Sequence, residues 1–159
     1  MKVSVASNIL KILLIIFSIG VIFVGVYVLP VLAGEMAMVY PEIEYARLPV
    51  LIMCETLLVL LLAGIGIIMY LLRTFDKGFT FSKKFLKGLE VLVWMCIAAS
   101  IGIIIIYQYI TMLGGPDPAT GMAMVGVTFI VWIVAAVIML IRAIVKQAIA
   151  YKDDYDLTV

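Results

Sequence analysis

Histidine is absent from the sequence, cysteine occurs twice, and only 13% of the 159 residues carry a charge. Each scarcity excludes something. A protein-held zinc needs about four nitrogen, sulfur or carboxylate ligands, and a chain with no histidine and two thiols is short of such donors. There is no G-x-S-x-G elbow, no phosphate-cradling loop and no GxGxxG after a strand. Hydrolase, kinase and dehydrogenase chemistry therefore has no foothold. The chain is read as a non-enzyme without metal or cofactor and without direct nucleic-acid contact. A soluble domain carries about a quarter charged residues, and this chain has far fewer. That leaves a membrane domain.

Apolar residues make up 67% of the chain, and they gather in four runs. The runs extend from about Ile9 to Ala33, Leu48 to Leu72, Val91 to Leu113 and Met122 to Ile141. Each meets the roughly 20 residues that a helix needs to cross a hydrocarbon core of about 30 Å. Stretches such as LLIIF and IGIIIIY do not alternate as barrel strands would. The reading is one all-α integral membrane domain, a four-transmembrane-helix bundle with helices over about 9–33, 48–77, 82–113 and 121–152. The first run is much longer than the ~7–15 apolar residues of a cleaved leader, so it is read as a span. Cys54 and Cys96 fall toward opposite ends of their helices, too far apart in depth for a disulfide.

Charge then sets the orientation. The N-terminal end holds Lys2 and Lys11, the middle connection Arg73, Lys77, Lys83, Lys84 and Lys87, and the C-terminal end Arg142, Lys146 and Lys152. The other two connections hold only Arg47 among basic residues, beside acidic Glu35, Glu42, Glu44 and Asp117. An excess of Lys and Arg marks the cytoplasmic side. Both termini and the middle connection are therefore placed in the cytoplasm of a plasma-membrane protein, with the fourth helix extended into it.

The middle connection, FDKGFTFSKKFLKGLE, packs a stop and a start into one turn. Gly78 is suited to closing the second helix, and Ser82 to capping the third. Phe81, Phe85, Leu86 and Leu89 form one side of that start, predicted to enter the acyl boundary. Lys83, Lys84 and Lys87 form the other, facing anionic headgroups at about 1 kcal/mol each.

This stretch, with ARLPVLI from Ala46 to Ile52, PDPATGMAMVG, and the closing AIAYKDDYDLTV, resembles the YoaS-like family of small bacterial four-helix membrane proteins (domain of unknown function 2975). The terminal Asp156-Leu157-Thr158-Val159 is the most specific element of the resemblance, while Tyr155 stands where the family usually has an asparagine. The family's function is unknown. Its members are often encoded beside a small helix-turn-helix regulator, which implies a signalling partner in the cytoplasm. Glu55 matches no family position, so the resemblance gives it no role.

Glu55 is the one ionisable group well inside a run, where an acid costs about 2.5–3.5 kcal/mol at a helix centre. Ile52, Val59, Leu62 and Gly66 share its face, and Gly66 is read as a place where a neighbouring helix comes close. By depth, Tyr27, Tyr107, Gln108 and Thr128 fall within about a turn of Glu55. Together they are expected to form a polar layer, serving either as interhelical hydrogen bonds or as a proton or cation site. Ala98 and Gly102 make a small-residue packing pair, Pro30 lies near the outer end of the first helix, and Trp132 is read as core.

The fourth run continues as RAIVKQAIAYK with a broad apolar face, then ends in an acidic tail whose Leu-x-Val could add as a strand to a partner. Three functions are carried forward. The first is a sensor or adaptor that regulates or tethers a small cytoplasmic regulator. The second is a proton- or cation-coupled transporter, a homodimer using Glu55. The third is an immunity protein that binds membrane-active peptides.

Overall fold

The computed structural model describes residues 3–77, 82–116 and 118–156. Gly78, Phe81, Asp117 and Leu157, Thr158 and Val159 lie outside the described residues. The chain enters through α1 (Val3–Phe23), runs through a π-helical turn (Val24–Val28) and continues as α2 (Leu29–Val39). A 3₁₀ helix (Pro41–Ala46) then leads into α3 (Arg47–Asp76), followed by α4 (Lys83–Met112) and α5 (Pro118–Asp156). Among the described residues, four helical stretches are long and apolar enough to cross a membrane: Ser7–Val39, Glu44–Asp76, Lys83–Met112 and Pro118–Tyr151. The protein is an all-α, multi-pass membrane protein.

In hydrocarbon a backbone polar group has no water to turn to, and uninterrupted helix satisfies most of them. Polar side chains inside the spans follow the same constraint. The hydroxyls of Ser18, Thr56, Thr74, Ser100, Thr111 and Thr128 each donate to the carbonyl four residues back. Helix ends are closed by specific residues. Ser82 is extended, and its Oγ accepts from the N–H of Phe85 at 3.2 Å, as its position predicts. After α4, Gly114 and Gly115 take positive φ, and the Gly115 N–H reaches back to Ile110 O at 3.1 Å. A side chain at either glycine would be strained.

The last three helices begin and end within a few residues of their predicted places, but the first span does not stop where expected. Helix continues nine residues beyond Pro30. The π-turn makes this possible: the Leu29 N–H donates to Val24 O, five residues back, which re-phases the backbone ahead of the proline.

The helices pack in chain order, forming an open bundle. The first span lies on α3, α3 on α4, and α4 on α5, the last interface being the most extensive. A buried cluster of Leu71, Phe85, Leu89, Leu92, Val93, Ile138 and Val145 joins α3, α4 and α5 at the lysine-rich end. Phe85 and Leu89 thus enter the protein core, not the acyl boundary, because α5 extends far enough to cover them. Ile141 and Ile144 of the expected apolar face of α5 are exposed, while Val145 is buried.

Close approach of α3 and α4 depends on glycine. A Cβ on Gly88 would stand 2.7 Å from Leu71 Cδ2, and one on Gly102 at 2.7 Å from Leu57 Cδ2. Gly102 therefore packs within the bundle, whereas its predicted partner Ala98 is exposed. Gly66 is also exposed with nothing near it, so the close approach expected there occurs at Gly88 and Gly102.

Overpacking of this kind costs about 1–3 kcal/mol. Gly88→Val should lower thermal stability in detergent by that order. Gly126→Ala, at a site with open space, should be neutral or stabilising by up to about 1 kcal/mol.

Candidate functional site at the first span and α3

Glu55 sits two turns into α3, half-buried, and its carboxyl turns toward the first span. A Cβ on Gly25 would lie 3.1 Å from Glu55 Oε2 and 3.6 Å from Oε1, with Leu58 Cδ1 at 3.2 Å. Gly25 is buried and belongs to the π-turn. Only a residue without a side chain leaves the carboxyl this seat. Among the described residues the carboxyl is bonded to no other side chain, although the cost of an acid in a span is lowest when it is paired.

The other members of the expected polar layer are not brought together with it. Tyr27 is 62% exposed and stacks on Phe23 with ring centroids 5.5 Å apart. Tyr107 is 41% exposed, and Gln108 is exposed as well. Thr128 stands on α5, which packs mainly on α4, and its hydroxyl donates to Met124 O. No hydrogen bond links these four to one another or to Glu55. Shared depth did not become contact because the helices form an open row. Ile52 and Val59, on the same face of α3, are exposed too.

A polar link does join α4 and α5. Trp132 Nε1 donates to Ser100 Oγ at 3.2 Å, and Ser100 in turn donates to Cys96 O at 2.9 Å. Trp132 is 57% exposed, so it is not core: the ring lies on the outer face and the indole N–H is its anchor. Cys96, Ile97, Ser100, Ile101, Trp132 and Ala135 line a shallow, mainly apolar hollow of about 150 Å³. Both cysteines are free.

At the lysine-rich end, each outer helix is tied to its neighbour by an ion pair. Lys11 of α1 pairs with Asp76 of α3, and Arg142 of α5 pairs with Glu90 of α4 at 3.1 Å. Arg73, Lys77, Lys83, Lys84 and Lys87 are exposed and make no ion pair among the described residues. At the other end Glu35, Glu42 and Glu44 are exposed, and the Arg47 guanidinium lies over Gly34, Nη2 being 3.6 Å from where a Cβ would stand. Asp156 is the last residue of α5.

Residues 31–159 match the family described as Protein of unknown function (DUF2975). The chain belongs to the DUF2975 family. No curated protein and no solved structure matches it. The DUF2975 match covers Glu55, both glycine contacts of α4 and the Trp132 link, and it begins immediately after Pro30. Gly25 lies ahead of it.

Of the residues at these contacts, Gly25, Asp76 and Glu90 are not singled out by the sequence, and Ser100 stands there only as a small residue beside Ala98 and Gly102. Gly25 had a usable signal, a glycine five residues before a proline within an apolar run. The Trp132–Ser100 bond is worth about 0.6 kcal/mol by the average for hydrogen bonds between membrane helices. Trp132→Phe and Ser100→Ala should each destabilise the α4–α5 pair by about that amount. The double variant should cost less than the sum of the two, as read by unfolding in detergent.

Proposed function

We propose that this DUF2975 protein is a plasma-membrane sensor or adaptor with both termini in the cytoplasm. The acidic end and Glu55 receive a ligand or a change in the membrane. The lysine-rich end and the tail from Asp156 to Val159 hold or release a small cytoplasmic regulator of the helix-turn-helix type. Uneven packing is the observation that supports this reading. Three helices share a buried cluster at the lysine-rich end, whereas the first span is packed extensively on α3 alone. A unit with one end fixed by three helices and a first span packed extensively on a single neighbour can occupy two arrangements, and a ligand shifts their balance through differential affinity. The exposed lysines also attract anionic headgroups, which fixes the surface at which a regulator would dock.

Coupled transport is the second reading, favoured by a carboxyl seated between two helices within a span. It requires Glu55→Gln to abolish substrate flux into liposomes. Affinity purification from native membranes tests the adaptor reading, comparing the full chain with one lacking residues 153–159. A cytoplasmic regulator should be retained by the full chain and lost from the truncated one. Equal recovery, or none from either, contradicts the adaptor reading.

A further inference from the structure

The π-turn ahead of Pro30 leaves the Gly25 carbonyl without its helical donor. In regular α-helix the Gly25 carbonyl would accept from the N–H of Leu29, but that N–H goes to Val24 O. The next donor along, five residues on, would be position 30, which is proline and has no N–H. No side-chain hydroxyl or amide among the described residues donates to Gly25 either. Gly25 is buried, and an unmade backbone hydrogen bond in such a place is costly. The group that abuts this residue is the carboxyl of Glu55.

The Glu55 carboxyl stands 3.1 Å from the Cβ position of the residue that carries this carbonyl, and two acceptors brought together in an apolar medium repel. A single proton turns that repulsion into a hydrogen bond, because a protonated carboxyl carries one O–H donor. We propose that Glu55 and the Gly25 carbonyl together form a proton-binding site, in which the Glu55 O–H donates to the Gly25 oxygen and clips the first span to α3. This rests on the reading of Glu55 as the input of the sensor and names the proton as its ligand.

The surroundings favour a proton over a metal cation. One carboxyl and one carbonyl fall well short of the ~6–8 oxygens that a calcium ion gathers, for example. Competing charges are also remote. Between Lys11 and Glu35 the first span carries Tyr27 alone among titratable groups. On α3 the neighbours are Cys54 and, eight residues away, Arg47, whose guanidinium lies over Gly34. On α4, between Glu90 and Leu113, stand Cys96, Tyr107 and Tyr109. None of these forms an ion pair or side-chain hydrogen bond with Glu55. The residue against which the carboxyl rests is Gly25.

Infrared spectroscopy tests this on the full chain in vesicles of phosphatidylcholine and phosphatidylglycerol, titrated over pH. The parent should show the C=O stretch of a protonated carboxylic acid at the lowered frequency of a hydrogen-bonded acid. That band should vanish in Glu55→Gln. Pro30→Ala restores an N–H at position 30, so a regular helix can supply donors to the backbone carbonyls. The acid band should then move up toward that of an unbonded acid. Gly25→Ala, which wedges a methyl group against Oε2, should move it the same way, provided circular dichroism shows the parent's helix content.

The proposal is overturned if no Glu55-dependent acid band appears at any pH at which the helices persist. It is also overturned if neither Pro30→Ala nor Gly25→Ala moves the band, or if sodium chloride, unlike choline chloride, removes it at constant pH. The vesicles hold no cytoplasmic partner, so these results are independent of the adaptor reading. Loss of that reading in its own purification would leave the proton site standing.

Discussion

Inside a bilayer, every backbone N–H and C=O has to find its partner within the protein. That constraint accounts for most of the architecture. It keeps the spans helical through about thirty residues each and turns serine and threonine hydroxyls back onto their own helices. It also makes the indole N–H of an exposed tryptophan reach for Ser100. The turn ahead of Pro30 departs from it. Pro30 lies within the first span, and the chain answers with a π-turn that leaves Gly25 short of a donor. The sole embedded acid of the protein stands against that glycine.

Packing is graded along the bundle. At the lysine-rich end, α3, α4 and α5 share a buried cluster, with Leu71 set over Gly88. The first span rests on α3 through the Glu55 seat within the span and the Lys11–Asp76 pair at the lysine-rich end. An exposed ion pair is a weak and salt-screened tie. Glu55 is half-buried within the span, where salt screens less, so the proposed hydrogen bond from its protonated carboxyl would weigh more in holding the helix. Such an arrangement is well suited to passing a change at one end to a partner at the other.

The fold was largely legible because its signals are local. Run length and composition locate the four spans, and an N-cap serine announces the start of α4. The site was legible only in part. Glu55 is conspicuous in any apolar run, but its counterpart is a backbone oxygen, invisible to a search for polar side chains. Depth counting grouped Tyr27, Tyr107, Gln108 and Thr128 with Glu55 by treating the bundle as closed. Depth does not say which helices touch, and in a chain-order row α5 packs mainly on α4. Trp132 was misplaced for a related reason: its ring faces outward and only its N–H reaches inward. Ion-pair partners such as Asp76 and Glu90 depend on the lateral rotation of helices, which periodicity alone leaves open.

The central claim, that a proton at Glu55 holds the first span on α3, is most directly tested by measuring how far that span stands from the rest of the bundle. Spin labels at Ile22 on α1 and Ile104 on α4, both exposed, report this separation by pulsed electron resonance once Cys54 and Cys96 are replaced by serine. In lipid vesicles, the parent should give one narrow distance at low pH that broadens and lengthens as pH rises. Glu55→Gln, whose amide N–H can donate to the Gly25 carbonyl at any pH, should stay narrow throughout. A distance in the parent that ignores pH, or an equal response in Glu55→Gln, would contradict the account.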